Sequence, residues 1–210
     1  MTPTSPIIDY GYASSEDVYT PSYLLPSVRT SLEQFAPGRR LFELGCGAGS
    51  TAAKLAALGY EVTGIDPAAS GIAIAQSNAP GCRLEQGSSE EKLAERFGTY
   101  DSVVSLEVAE HVFSPKRYAE AIGELLEPGG IAIISTPYHG YFKNLVLAAT
   151  GKMESHFTAL WEGGHIKFWS RITLGTLFAR AGFEEIRFDR VGRIPALAKS
   201  MVVTYRKKAG

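Results

Sequence analysis

The 210 residues predict an α/β fold, a parallel sheet layered with helices and carrying a cap inserted after its fifth strand. Three observations point there. From Arg39 onward short apolar runs alternate with helical stretches, the rhythm of crossover units on a parallel sheet. Glu43-Leu-Gly-Cys-Gly-Ala-Gly49 sets three glycines at every second position, directly after the apolar Leu41-Phe42 and directly before a helix-forming stretch, Ser50 to Leu58. After Thr136 the rhythm breaks, and residues 137–170 are rich in aromatics, glycine and histidine with no regular strand.

Taken in order, strands are expected at 40–44, 60–65, 82–86, 100–105 and 130–135. Helices at 50–58, 68–77, 89–97 and 115–126 connect them, the last opened by Ser114-Pro115 as cap and first-turn proline. Glu127-Pro128-Gly129-Gly130 then breaks the chain before Ile131-Ala-Ile-Ile134. Within the irregular stretch, Asn144 to Thr150 is short and apolar, the length of a lid, a core helix or a segment dipping into a surface. An amphipathic helix at 171–181 follows, stopped by Gly182, and strand-like runs at 183–190 and 200–206 close the chain. With 45% hydrophobic residues, this length supports one sizeable domain, with residues 1–38 as an N-terminal lid or helix and 137–170 as the inserted cap.

Composition narrows the classes of partner. A net charge of −1 offers no global basic field for nucleic acid or an anionic bilayer, although Arg206-Lys207-Lys208 is a local basic patch. Only Cys46 and Cys82 occur, which suits reduced thiols in a cytoplasm better than a disulfide framework. The polar, turn-rich first twenty residues lack signal-peptide blocks, and no apolar run approaches the roughly 20 residues that span a bilayer. A soluble, cytoplasmic protein is expected, with peripheral membrane contact and oligomeric state left open.

The glycine turn puts backbone N–H groups, free of Cβ atoms, at the start of a helix where an anionic group can approach. Nicotinamide and flavin sites want G-x-G-x-x-G, whereas here the third glycine comes one residue early, at Gly49, with Ser50 in its place. Glu43 opening the motif and Asp66 closing the next strand fit S-adenosylmethionine better. Gly45, Gly47 and Gly49 would then face its methionine tail, and Asp66, followed by Pro67, its ribose diol. Cys46 is expected as a small filler whose backbone matters. Ser88 and Ser89, after the third strand, offer a polar edge to adenine and read equally well as a helix cap. Leu106, just past the fourth strand, completes the expected cofactor contacts. Tyr10, Tyr12, Tyr19 and Tyr23 form an aromatic segment that either closes over the cofactor, Tyr19 or Tyr23 reaching its tail, or packs under the first helix.

Every histidine in the chain, His111, His139, His156 and His165, lies between residues 111 and 165, and Trp161 and Trp169 lie in or at the end of the cap. Proton-handling groups are thus gathered where a parallel sheet opens its carboxyl edge to ligands. Phe157 and Phe168 are expected to be the cap's own small core. In Ser105-Leu-Glu-Val-Ala-Glu-His-Val112, Glu107, Glu110 and His111 fall at i, i+3 and i+4, so a helical turn would project all three on one face. Two carboxylates and an imidazole suit Mg²⁺ or Mn²⁺, which would lower the pKa of an acceptor hydroxyl. Alternatively His111 or His165, with His139 nearby in sequence, handles the proton directly, or the Glu-His pair only pins the following loop.

Glu43-Leu-Gly-Cys-Gly-Ala-Gly49, Gly64-Ile-Asp-Pro67, Tyr100-Asp-Ser-Val-Val104 and Leu126-Glu-Pro-Gly-Gly130 resemble the ordered motifs of class I S-adenosylmethionine-dependent methyltransferases. That resemblance implies a Rossmann-like three-layer sandwich whose seven-stranded, mostly parallel sheet has an antiparallel last strand. Leu106-Glu-Val-Ala-Glu-His-Val112, Ser135-Thr136 with the apolar stretch Leu145 to Gly151, and Gly164-His165 before Lys167-Phe168 look most like the ubiquinone-biosynthesis O-methyltransferases. The resemblance runs from near Tyr19 to near Arg190. It implies a divalent metal at Glu107, Glu110 and His111 and a cap helix over a lipophilic acceptor. The arginine such enzymes carry before the glycine loop has no match, Leu25 being nearest by spacing and Arg29 four residues later, and the cap sequence differs. O-methylation of a small phenol or alcohol is the expected reaction. A 2′-O-methyltransferase acting on RNA is the alternative, disfavoured by the charge, and a cofactor-binding protein without catalysis is the third.

Overall fold

The computed structural model describes residues 22–157, 159–160 and 163–208. Helix α1 (Leu25–Phe35) precedes β1 (Arg40–Leu44), α2 (Ser50–Ala57), β2 (Glu61–Asp66), α3 (Ala69–Asn78), β3 (Arg83–Gln86), α4 (Leu93–Phe97), β4 (Tyr100–Leu106), α5 (Pro115–Leu125) and β5 (Leu126–Pro137). The cap contributes α6 (Tyr141–Ala149) and α7 (Met153–Phe157). Then come α8 (Arg171–Arg180), β6 (Phe183–Val191), a 3-10 turn at Pro195–Leu197 and β7 (Ser200–Lys207).

All seven strands form one sheet in the order β3-β2-β1-β4-β5-β7-β6. Only β7 is antiparallel to its neighbours, so the expected sheet, parallel except for the last strand, is the one observed. The order reverses between β1 and β4, and a crevice opens there at the carboxyl ends of the strands. Alternation along the strands fills two cores. Phe42, Ala132 and Ile134 point to one, with Tyr118 and Phe178, while Leu41, Ile131 and Ile133 point to the other, with Leu32 and Leu55.

Three local expectations change. The stretch expected to be helical from residue 89 is helical only over α4, because Ser88 N–H donates to Glu91 Oε1 at 2.8 Å and Glu90 N–H to Ser88 Oγ at 3.3 Å. Such side-chain bonds hold a turn in competition with the helix. Glu127 to Gly130 does not end the pairing: β5 begins at Leu126 opposite Tyr100, and a register shift between Tyr100 and Ser102, with Gly129 at φ 79°, absorbs the irregularity. Finally, α6 has no buried residue, which removes the core-helix reading of Asn144 to Thr150. Among the described residues no helix is long and apolar enough to cross a membrane.

Candidate functional site

The crevice begins at the glycine loop. Gly45 N–H and Cys46 N–H both donate to Ile65 O, at 2.8 and 2.9 Å, so the loop is strapped to the end of β2. Asp66 continues the strap, its Oδ2 accepting from Gly47 N–H at 2.9 Å and its Oδ1 from Ala68 N–H at 3.0 Å. Gly45 (φ 86°) and Gly49 (φ 79°) sit in the left-handed region. A Cβ on Gly45 would collide with Val108 Cγ2, and one on Gly49 would come within 3.0 Å of Ala75 Cα. Gly49 is also the N-cap of α2 and gives it no side-chain cap, so the first-turn N–H groups face the crevice without one.

Glu43, 2% exposed, stands behind this loop, and its Oε2 has no hydrogen-bond partner. Burial, with the nearby Asp66 charge, raises its carboxyl well above the usual carboxylate range. Cys46 packs in the α2-side core, and burial pushes its thiol up, so it is inert filler. Pro67 lends its carbonyl to Gln86 Nε2 at 2.9 Å. Ser88 is engaged in the turn described above, Ser89 beside it is half-buried, and Leu106 is buried at the crevice end of β4.

Beyond Leu106 the chain does not turn helically. Glu107 has φ 55°, the one positive value among described residues other than glycine, so the i, i+3, i+4 face never forms. Ser135 holds this conformation, its Oγ accepting from Glu107 N–H at 3.0 Å and donating to Glu107 Oε1 at 2.7 Å. Ser200 Oγ donates to Glu107 Oε2 at 3.3 Å and lies 3.0 Å from Tyr23 OH. Burial pushes the Glu107 carboxyl up to about 6, and the two serine hydroxyls limit the rise. Tyr23 therefore reaches the acidic turn through Ser200, while Tyr10, Tyr12 and Tyr19 lie outside the described residues.

Glu110 takes a different path. Its carbonyl accepts from Ile166 N–H at 2.9 Å and Lys167 N–H at 3.0 Å, which docks the end of the cap onto the turn. Trp169 Nε1 donates to Ala109 O at 2.8 Å and strengthens the same joint. The Glu110 side chain is 0% exposed, and neither carboxylate oxygen has a hydrogen-bond donor. Burial, then the Glu107 charge, raises its carboxyl well above the usual range. His165 Nε2 is 3.9 Å from Glu110 Oε1. His111 Nδ1 is 2.8 Å from Gly163 O; a carbonyl only accepts, so Nδ1 carries the proton and Nε2 the lone pair. Burial lowers the His111 imidazole, and burial with the neighbouring His111 lowers that of His165 to about 4.

One ligand atom from each of Glu110, His111 and His165 lies within 4.8 Å of the others. The structure thus joins two of the expected metal residues with a histidine expected as a base, and directs the third, Glu107, to Ser135 and Ser200 instead. His139 belongs to neither group. It packs 5.7 Å from His156 and 5.3 Å from Phe168, and Phe157 and Phe168 meet at 4.8 Å, but Phe168 is 49% exposed, so where a small cap core was expected the rings form a partly exposed cluster. Burial lowers His139 to about 4. Arg29 pairs with Glu33 at 2.6 Å on the exposed side of α1, away from the crevice. Trp161 lies outside the described residues. Arg206 pairs in register with Ile131 in the first half of β5, so the C-terminal basic run sits toward the end of the sheet opposite the strands' carboxyl ends.

Ser200 and Thr136 carry no signal that a reading of the chain could use. Ser200 meets Glu107 only because β7 folds back beside β5, and the Thr136 hydroxyl beside Glu110 follows from strand register.

A family model described as a methyltransferase domain matches residues 19–187. A ubiquinone biosynthesis O-methyltransferase from Azorhizobium caulinodans is 36% identical over 155 residues, covering 70% of this chain and 59% of the relative. One of the same name from Ruegeria pomeroyi is 36% identical over 160 residues, covering 74% and 63%. The chain thus spans less than two thirds of the length of these relatives. Among solved structures, a magnesium protoporphyrin IX methyltransferase from Synechocystis PCC 6803 with bound SAH superposes with a TM-score of 0.66 at 20% identity. That superposition covers 88% of this chain and 82% of the other, and it shows the shared fold.

Proposed function

This chain belongs to the methyltransferase domain family, and we propose that it transfers the methyl group of S-adenosylmethionine to an oxygen of a small-molecule acceptor held under the 137–170 cap. The observation that carries the reading is a contact. Val108, inside the acid–histidine turn, packs where a Cβ of Gly45 would be, and this closeness of glycine loop and turn supports reading them as the two sides of one site. We read the chain as a single domain, with residues 1–38 as its N-terminal lid or helix and 137–170 as its acceptor-side cap.

S-adenosylmethionine would supply an electrophilic methyl group on a sulfonium. The uncapped first turn of α2 suits the carboxylate of its tail, and the unpartnered Glu43 Oε2 suits an ammonium or another donor. Asp66, fixed at the end of β2 by the Gly47 and Ala68 N–H groups, is a carboxylate of the kind that accepts from a ribose diol. Pro67, Ser88, Ser89 and Leu106 border the remaining surface, and Tyr23 approaches from the N-terminal side.

Methyl transfer to a hydroxyl needs its proton removed. Glu110, His111 and His165 would hold a divalent cation, which would lower the pKa of the acceptor hydroxyl. The support is chemical: two imidazoles whose pKa values burial lowers converge on a buried carboxyl whose oxygens make no hydrogen bond of ordinary geometry. His165, neutral because its pKa is depressed, supports a second reading in which it takes the proton itself.

The test incubates the purified chain with methyl-labelled S-adenosylmethionine and a panel of catechols and phenols, before and after exhaustive chelation. Labelled methyl ether lost on chelation and restored by Mg²⁺ or Mn²⁺ supports the metal reading. Full activity after chelation leaves His165 as the base. No methyl transfer to any oxygen acceptor overturns the proposal.

A further inference from the structure

A second cavity adjoins the cap, with a volume of about 430 Å³, between Tyr138–Tyr141, the first residues of α8, and Phe188 and Arg190 of β6. Its walls are largely aromatic and aliphatic. Tyr141 and Ile172 stand at it 79% and 80% exposed, large apolar side chains that nothing among the described residues covers. That volume suits one substituted ring and is too small for a long isoprenoid.

The charges at this cavity do not cancel. Arg171 is neutralised by Glu185, 2.9 Å from its Nε, and lies over the Phe188 ring. Asp189, the acid next to Arg190 in sequence, is bound by Arg187 at 2.6 Å and by Ser27 at 2.5 Å. Arg190 itself lies over Tyr138, 6.0 Å from the ring centroid, and pairs with no carboxylate among the described residues. One guanidinium is therefore left uncompensated beside an apolar wall, and its planar fork matches a carboxylate. A single such charge is poorly matched to a phosphate dianion and far too little for a polyanionic surface.

His139 lines the cavity, packs 5.3 Å from Phe168, and lies near enough to His165 of the crevice to feel its charge. From this juxtaposition we infer that the cavity is the distal acceptor subsite, taking a small aromatic body that carries one carboxylate, with Arg190 as the residue that selects for it. The inference rests on the methyl-transfer reading of the adjoining crevice.

The experiment measures binding and turnover separately, using 3,4-dihydroxybenzoate and its neutral amide with the full chain. Binding is followed by calorimetry in the presence of S-adenosylhomocysteine. The wild type should bind the carboxylate about tenfold or more tighter than the amide, as a charge-assisted bond implies. Arg190→Gln should reduce that preference to within about twofold, raising KM for the carboxylate with little change in kcat. Ile172→Asp, which places a negative charge at the rim, should weaken the carboxylate and spare the amide. No preference in the wild type, or one that survives both substitutions, overturns the subsite. An Arg190-dependent preference without methyl transfer upholds the subsite and removes the proposed reaction on these catechols.

Discussion

His165 Nε2 stands 3.9 Å from Glu110 Oε1, joining the end of the cap to the turn after β4 through a carboxylate that no donor satisfies. The Glu107 carboxylate, three residues away, accepts from Ser135 and Ser200, whereas neither carboxylate oxygen of Glu110 has such a partner. The two glutamates therefore have different work, and substitution should separate them.

Glu110→Gln and His165→Ala should each lower Mn²⁺ affinity by at least the 10–100-fold typical of disturbing a metal site, read by electron paramagnetic resonance, and lower turnover with it. Glu107→Gln should keep Mn²⁺ affinity within a few-fold, because its carboxylate is occupied by Ser135 and Ser200. Equal losses in Glu107→Gln and Glu110→Gln would mean that both glutamates bind the ion.

Asp66→Asn replaces an acceptor of two buried N–H groups with a side chain that must turn a donor toward one of them. Charged hydrogen bonds of this kind are worth about 1.5–3 kcal/mol, so affinity for S-adenosylhomocysteine should drop roughly 10–100-fold. Calorimetry on the folded variant measures it, and unchanged affinity would remove Asp66 from the cofactor site.

Gly45→Ala and Gly49→Ala both meet a positive φ, the first also the Val108 side chain and the second the backbone at Ala75. Each should destabilise the protein by about 1–3 kcal/mol. Adding Val108→Ala should return part of the loss at Gly45 and none at Gly49. Urea denaturation of the single and double variants reads the difference.

Trp169→Phe keeps an aromatic ring but removes the bond to Ala109 O. The orphaned carbonyl should cost about 1–3 kcal/mol in stability. Because this joint positions Glu110, kcat should fall while affinity for S-adenosylhomocysteine holds. A matching loss of cofactor affinity would contradict that division.

His139 is held at about 4 by burial, with Lys143 and His156 adding repulsion, against about 6.5 in an unfolded chain. Between those values the unfolded chain binds the proton and the folded chain does not. This contribution is therefore intact above pH 6.5 and lost as the pH falls toward 4. Raised carboxyls such as Glu107 act in the opposite sense, so the informative quantity is a difference between proteins. His139→Phe, seated beside Phe157 and Phe168, should lose less Tm than the wild type between pH 7 and pH 5. Parallel Tm curves would sink the assignment.

Much of this was legible in the chain because it is local. The strand and helix alternation follows from periodicity, and the tight turn follows from Gly45, Gly47 and Gly49, whose backbone only glycine adopts without strain. Local competition misled at Ser88–Lys92, where side-chain bonds to the backbone replaced a helical turn, and at Glu107, whose left-handed backbone broke the face that helical spacing implies.

By itself the sequence determined the order of elements, the glycine loop with Asp66 after it, and the gathering of histidines between residues 111 and 165, since each depends on neighbours along the chain. Only the tertiary structure decided which acid meets which partner. Folding β7 back beside β5 brings Ser200 to Glu107, and docking Ile166 and Lys167 on the Glu110 carbonyl brings His165 to Glu110. The physical reason is that a buried charge takes its partners from whatever the packing of distant strands and the cap places beside it, and spacing along one segment carries no record of that choice.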